Sequence, residues 1–169
     1  ALECISIIHA PKILMTRGTG YHTGNSEDFE DTLASELIKH ALVEIHDHAF
    51  PKINNIQFSI KHHSSSSYVP HGRMTPLAKS KLWNKIWHSE HEQQPDANIL
   101  IRSHIHYYTN CGGNNWQAFS TPALQGWGSK FGQRRCEGLV DFGLMWIDIP
   151  KYATCLDDIE WHKDIPKLD

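Results

Sequence analysis

Apolar residues fall along this chain in short runs separated by glycine-rich, serine-rich or charged stretches, and the alternation of run and loop predicts its elements. Lys12 to Thr16 is apolar and empties into "RGTGYHTGN", which predicts a buried strand followed by a loop. Asn25 or Ser26 can then cap a helix whose first turn holds Glu27, Asp28 and Glu30, where carboxylates complement the exposed backbone N–H groups. Phe29, Leu33, Leu37, Ala41 and Ile45 recur at helical spacing, and Pro51 biases its predecessor away from helix, so the helix is predicted to run to about "HDHAFP".

The pattern then repeats. "NIQFSIKH" predicts a second strand, "HSSSSYVPHGRM" a loop, and Thr75-Pro76 the start of a helix with Leu82, Trp83, Ile86 and Trp87 as its apolar side. "ANILIRSH" after Pro95 predicts a third strand. Beyond it, "WQAFSTPAL" and "GLVDFGLMWIDI" read as β-rich segments joined by the polar "QGWGSKFGQRRCEG". The class is therefore α/β in a single domain over residues 1–169, and the loops after successive strands of such a sheet line one edge, where ligands bind.

Composition changes this picture in one respect. The 169 residues include 13 histidines against three methionines, which raises the prior for a metal or proton-transfer site without locating it. A net charge of -3 with no block of like charge gives no support to an extended nucleic-acid surface. Cys4, Cys111, Cys136 and Cys155 have neither CxxC spacing nor a dense framework, so they read as reduced thiols of a cytoplasmic protein. No apolar run is long enough to cross a bilayer, and the start at "ALECISIIHAPK", without methionine, reads as the interior of a longer protein.

The candidate chemistry sits in the loops that follow the predicted strands. His22 and Thr19 follow the first, His62 and His63 the second, and His104 and His106 the third. Strand alternation would put His104 and His106 on one side, aimed at one metal centre or two neighbouring ones, although an HxH pair alone fits a strand end in solvent equally well. Arg73 in "PHGRM" is placed to clamp a phosphate or to sit in solvent. His46, Asp47 and His48, like His88 and His91, are explained by a helix C-terminus. Asp141 or Asp148 would be needed as the carboxylate of an unrelated single-metal site, but both lie on a segment that serves the core.

In order, "RGTGYH", "KHH" and "RSHIHYY" resemble the third, fourth and fifth motifs of calcineurin-like metallophosphoesterases, whose usual forms are GNH(D/E), a strand-end histidine and GHxH. The phage- and prophage-associated branch is the most similar, through "HHSSSSYVPHGRMTPLA" and "TPALQ" as well. The resemblance implies a four-layer α-β-β-α sandwich with mixed sheets and two divalent ions, manganese, zinc or iron. It implies that His62 and His104 ligate one ion and His106 the other, that His22 acts near the leaving group, and that a metal-activated hydroxide attacks phosphorus.

Thr19 takes the place of the family's asparagine, and Ser103 that of a glycine. The first two motifs, DxH and GDxxD, have no counterpart. They supply the carboxylates that offset repulsion between the ions, so the chain is expected to be the C-terminal part of such a domain. The expected substrate is a phosphate ester, including nucleotides or nucleic-acid ends, with an N-terminal half or a second copy as the partner. The competing expectation is a non-catalytic relative that keeps the fold for binding or structure and has lost the metal centre.

Overall fold

The computed structural model describes residues 5, 7–18, 29–67, 69–91, 93–124 and 140–167. It divides into two compact units, residues 1–49 and 50–169. In the first, β1 (Lys12–Thr16) pairs in parallel with β2 (Leu42–His46), and α1 (Phe29–Leu37) lies between them in sequence. A two-residue strand, β3 (His48–Ala49), ends the unit. Just beyond β1, the acids of α1's first turn hold the chain: Arg17 donates to both carboxylate oxygens of Asp31 at 2.9 and 3.0 Å, and the Gly18 amide donates to Glu30 at 3.1 Å. The proposed caps Asn25 and Ser26 lie outside the described residues.

The long helix expected here is a short helix and a strand. α1 stops at Leu37, and residues 42–46 are extended rather than helical. The spacing of Leu33, Leu37, Ala41 and Ile45 fits a helix, but Val43 and Ile45 are β-branched and alternate with polar residues, and pairing with β1 decides between the two periods. His46 and His48 consequently sit on strands rather than at a helix C-terminus.

The second unit is built on a mixed sheet. β4 (Lys52–Ile53) forms a hairpin with β5 (Ile56–Lys61); β5, β6 (Ile99–Arg102) and β8 (Trp116–Ser120) run parallel; β7 (Thr109–Gly113) pairs antiparallel with β8. β9 (Leu144–Asp148) and β10 (Glu160–Asp164) make a separate antiparallel pair. One face of the main sheet packs Phe58, Ile99 and Phe119 with Ala153 and Ile159, and Met145 and Ile147 of β9 lie against this cluster. At the tip of the β4–β5 hairpin, Asn54 adopts φ 53° and its amide donates to the Pro150 carbonyl at 2.9 Å, while Asn55 donates to Ala153 at 3.2 Å.

The other face carries α2 (Thr75–His91) over Leu100 and Ala118. The helix does not dock by the side that its sequence advertises. Leu82, Trp83 and Trp87 are exposed, whereas Leu77, Lys81 and Asn84 are buried. The buried polar pair works by hydrogen bonding: Asn84 accepts from the Ala97 amide at 2.9 Å and donates to the Pro95 carbonyl at 2.9 Å, and Lys81 donates to Asp96 at 2.5 Å and to the Ala97 carbonyl at 2.6 Å. The segment entering β6 thus has its backbone groups satisfied by side chains, as buried peptide groups require. No helix among the described residues is long and apolar enough to cross a membrane.

Candidate functional site

β5 and β6 run parallel in register, with Lys61 opposite Arg102, so their carboxyl ends lie side by side. The pairing extends one step further through Ser103, whose amide donates to the His62 carbonyl at 3.0 Å. His104 then turns back. Its φ is 75°, and the Ile105 amide donates across it to the Ser103 carbonyl at 3.0 Å, the strained positive-φ form of the γ-turn. His106 is also left-handed, at φ 60°. For residues with a Cβ such conformations cost about 1–3 kcal/mol each and persist where surrounding structure imposes them.

Here that structure is Ile105 and Tyr107, both buried, and Asp141, whose amide donates to the His106 carbonyl at 2.9 Å and whose carboxylate accepts from the Tyr108 amide at 2.7 Å. The expected strand alternation of His104 and His106 therefore does not apply, because β6 ends at Arg102. Asp141 precedes β9 and serves as a clamp on this loop; Asp148, at the end of β9, lies 3.1 Å from His162.

The turn at His104 brings two imidazoles together. His62 Nε2 and His104 Nδ1 are 3.1 Å apart, with ring centroids separated by 5.1 Å at 70°. The exposed His63 ring lies 5.2 Å from that of His104. As a direct hydrogen bond, one nitrogen donates and the other accepts, and because Nε2 of one ring meets Nδ1 of the other, two neutral rings must share the same tautomer. With ligand bonds of about 2.1 Å, two nitrogens at this separation would subtend about 95° at a shared ion, an angle that suits adjacent ligands. Two nitrogens do not complete a coordination sphere, and among the described residues no group of three or more His, Cys, Asp or Glu could hold a metal. His22 and Thr19 lie outside the described residues.

Two cationic groups that spacing alone did not single out, or placed only loosely, bear on this rim. Arg102 is 5% exposed and donates to the carbonyls of Ser59 and Ile101 and to the Ser59 hydroxyl. None of these partners is a carboxylate, and burial pulls the guanidinium down to about 10. A charged residue ending the apolar run "ILIR" was the available signal. Arg73, after a 3-10 turn at Pro70–Gly72, places its guanidinium carbon 4.8 Å from the centre of the Tyr107 ring. Arg73 Nε and the Tyr107 hydroxyl are both buried, and neither has a hydrogen-bond partner among the described residues. An orphaned buried polar group costs about 1–3 kcal/mol, so two on one stacked pair of side chains are an unusual concentration.

No protein-family profile and no curated protein matches the sequence. Solved structures do match its fold. Wild-type Vps29 from Entamoeba histolytica, in complex with zinc, is similar with a TM-score of 0.53 at 13% identity, over 98% of this chain and 89% of that one. A single mutant of the same protein gives 0.51 at 12% identity, over 99% and 90% of the two chains, and a double mutant gives 0.51 at 12%, over 98% and 88%. At this identity the likeness concerns the fold alone. The chain has an α/β fold with mixed sheets, similar to that of Vps29 over nearly its whole length and over 90% of that chain, so it is not shown to be only a C-terminal portion.

Proposed function

We propose that the chain is a metal-dependent phosphoesterase, hydrolysing a phosphomonoester or phosphodiester at the rim formed by the ends of β5 and β6. The observation that carries this reading is the meeting of His62 and His104 at 3.1 Å, reached through left-handed backbone at His104. A strained residue that brings together two side chains from separate segments is what a positioned site requires. The buried positive charge of Arg102 suits an anionic substrate.

In this reading His62 and His104 seed one ion position and His106 a second, for manganese, zinc or iron. His22 serves the leaving group, and Thr19, His63 and Arg73 contact phosphate. The missing carboxylates come from an N-terminal half or from a second copy. The four-layer arrangement, the phage-associated affinity and the cytoplasmic setting rest on the sequence stretches and the reduced-thiol pattern alone.

The test is hydrolysis of chromogenic phosphomonoesters and diesters with added Mn²⁺ or Zn²⁺, alongside equilibrium dialysis of Mn²⁺. Wild type should require metal, and His104→Ala should abolish turnover and lower metal retention; unchanged activity in that variant removes His104 from the site. A second reading, a non-catalytic binding or structural protein, is favoured by the absence of a three-ligand group among the described residues. A folded chain that retains no ion and hydrolyses neither ester would establish it.

A further inference from the structure

The guanidinium of Arg73 over the ring of Tyr107 leaves two buried hydrogen-bond donors unused among the described residues, and they do not serve one another. Arg73 Nε is a donor only, and the Tyr107 hydroxyl, on a residue 7% exposed, is the second orphan. The guanidinium carbon sits 4.8 Å from the ring centre, so the contact runs to the ring face while the hydroxyl goes unbonded. Both residues are held from behind. The Tyr107 carbonyl accepts from the buried Ser120 hydroxyl at 2.7 Å, and the Arg73 amide donates to Pro70 at 3.3 Å. Tyr107 directly follows His106 in the strained loop.

We propose that Arg73 and Tyr107 form an oxyanion-binding pair for a phosphoryl group, with the stacked arrangement as its closed state. A phosphoryl oxygen draws the half-buried guanidinium from the ring face and accepts from both Arg73 Nε and the Tyr107 hydroxyl. This exchanges a cation–π contact for two hydrogen bonds to an anion, the stronger kind. The inference rests on the phosphate-ester reading for the identity of the anion, and it adds Tyr107 as a recognition residue and gives Arg73 a defined donor.

Titration calorimetry of the full chain with inorganic phosphate in the presence of a chelator tests it without turnover. Wild type should bind, and Tyr107→Phe and Arg73→Lys should each weaken binding about tenfold, the second because lysine keeps the charge but lacks Nε. Tyr107→Phe removes a hydroxyl that has no partner, so its melting temperature should equal or exceed that of wild type, which keeps the test valid if an Arg73 variant fails to fold. Absence of phosphate heat in wild type, or wild-type affinity in both variants, overturns the proposal. A chain that binds phosphate through the pair yet hydrolyses no ester sinks the hydrolytic reading alone, and a hydrolytic chain whose two variants keep wild-type KM and phosphate affinity sinks this one alone.

Discussion

Strand β6 has a buried cation near each end, and the two are treated differently. Before its amino end, the Lys81 ammonium lies between the Asp96 carboxylate and the Ala97 carbonyl, and Lys85 reaches the other oxygen of Asp96 at 3.0 Å. At its carboxyl end Arg102 meets, among the described residues, only carbonyl and hydroxyl oxygens. Both residues are 5% exposed. Compensation at one end makes the loop into the strand rigid; leaving charge uncompensated at the other keeps a positive potential beneath the histidine rim. On the function proposed above, stability and recognition would be divided between the two ends of one strand.

Removing the compensation should have the largest effect. Asp96→Asn leaves Lys81 buried without a counter-charge, and because the Asp96 side chain is 34% exposed the loss is discounted to about 2–3 kcal/mol, read from the urea midpoint. Burial alone would raise the Asp96 carboxyl, but hydrogen bonds from Lys81 and Lys85 outweigh it and hold the group below its ordinary value of 3.8. A carboxyl lowered on folding contributes stability that is complete above the unfolded value and disappears as pH falls through the lower folded one. Wild type should therefore lose this share below about pH 3.8, and Asp96→Asn should not; equal acid slopes would mean that the pair is not formed.

At the other end, Arg102→Met should cost less, under about 1.5 kcal/mol, because the buried charge it removes had no carboxylate to neutralise it. It should also weaken inorganic phosphate binding a few-fold at low ionic strength. A stability loss equal to that of Asp96→Asn would erase the contrast between the ends. The smallest effect is expected at the rim itself: His104→Gly relieves the left-handed backbone and should gain up to about 1 kcal/mol. A net loss would show that the His62 contact outweighs the strain.

How much of this was legible follows from what each segment depends on. β1, β5 and β6 were readable because their apolar runs are short and bounded by loop residues, and the start of α2 because Thr75-Pro76 is a strong local signal. β2 was hidden because a helical repeat persisted through it with no glycine or proline to end the helix, and only the pairing with β1 resolves the ambiguity. β7, with two glycines, owes its extended form to β8; the turn Asn114-Asn115 between Gly113 and Trp116 was the missed hairpin cue. The buried face of α2 was illegible because Lys81 and Asn84 are polar, and their burial depends on backbone groups that appear only once residues 95–97 pack against them.

The site divides in the same way. That loops after parallel strands converge could be read from strand order, and His62 and His104 do meet. The reversed backbone at His104 could not be read, since it is imposed by neighbours distant in sequence such as Asp141. Tyr107 was passed over because an aromatic residue after a histidine pair looks like core, which it also is.

The two asparagines at the β4–β5 turn have a kinetic corollary. By grasping carbonyls 96 and 98 positions further on, they close a very long loop, whose entropy must be lost before either bond can form. Such stitches belong late in folding and are absent from the nucleus. Cutting them with Asn→Ala would then hasten the opening of the chain far more than it slows its assembly.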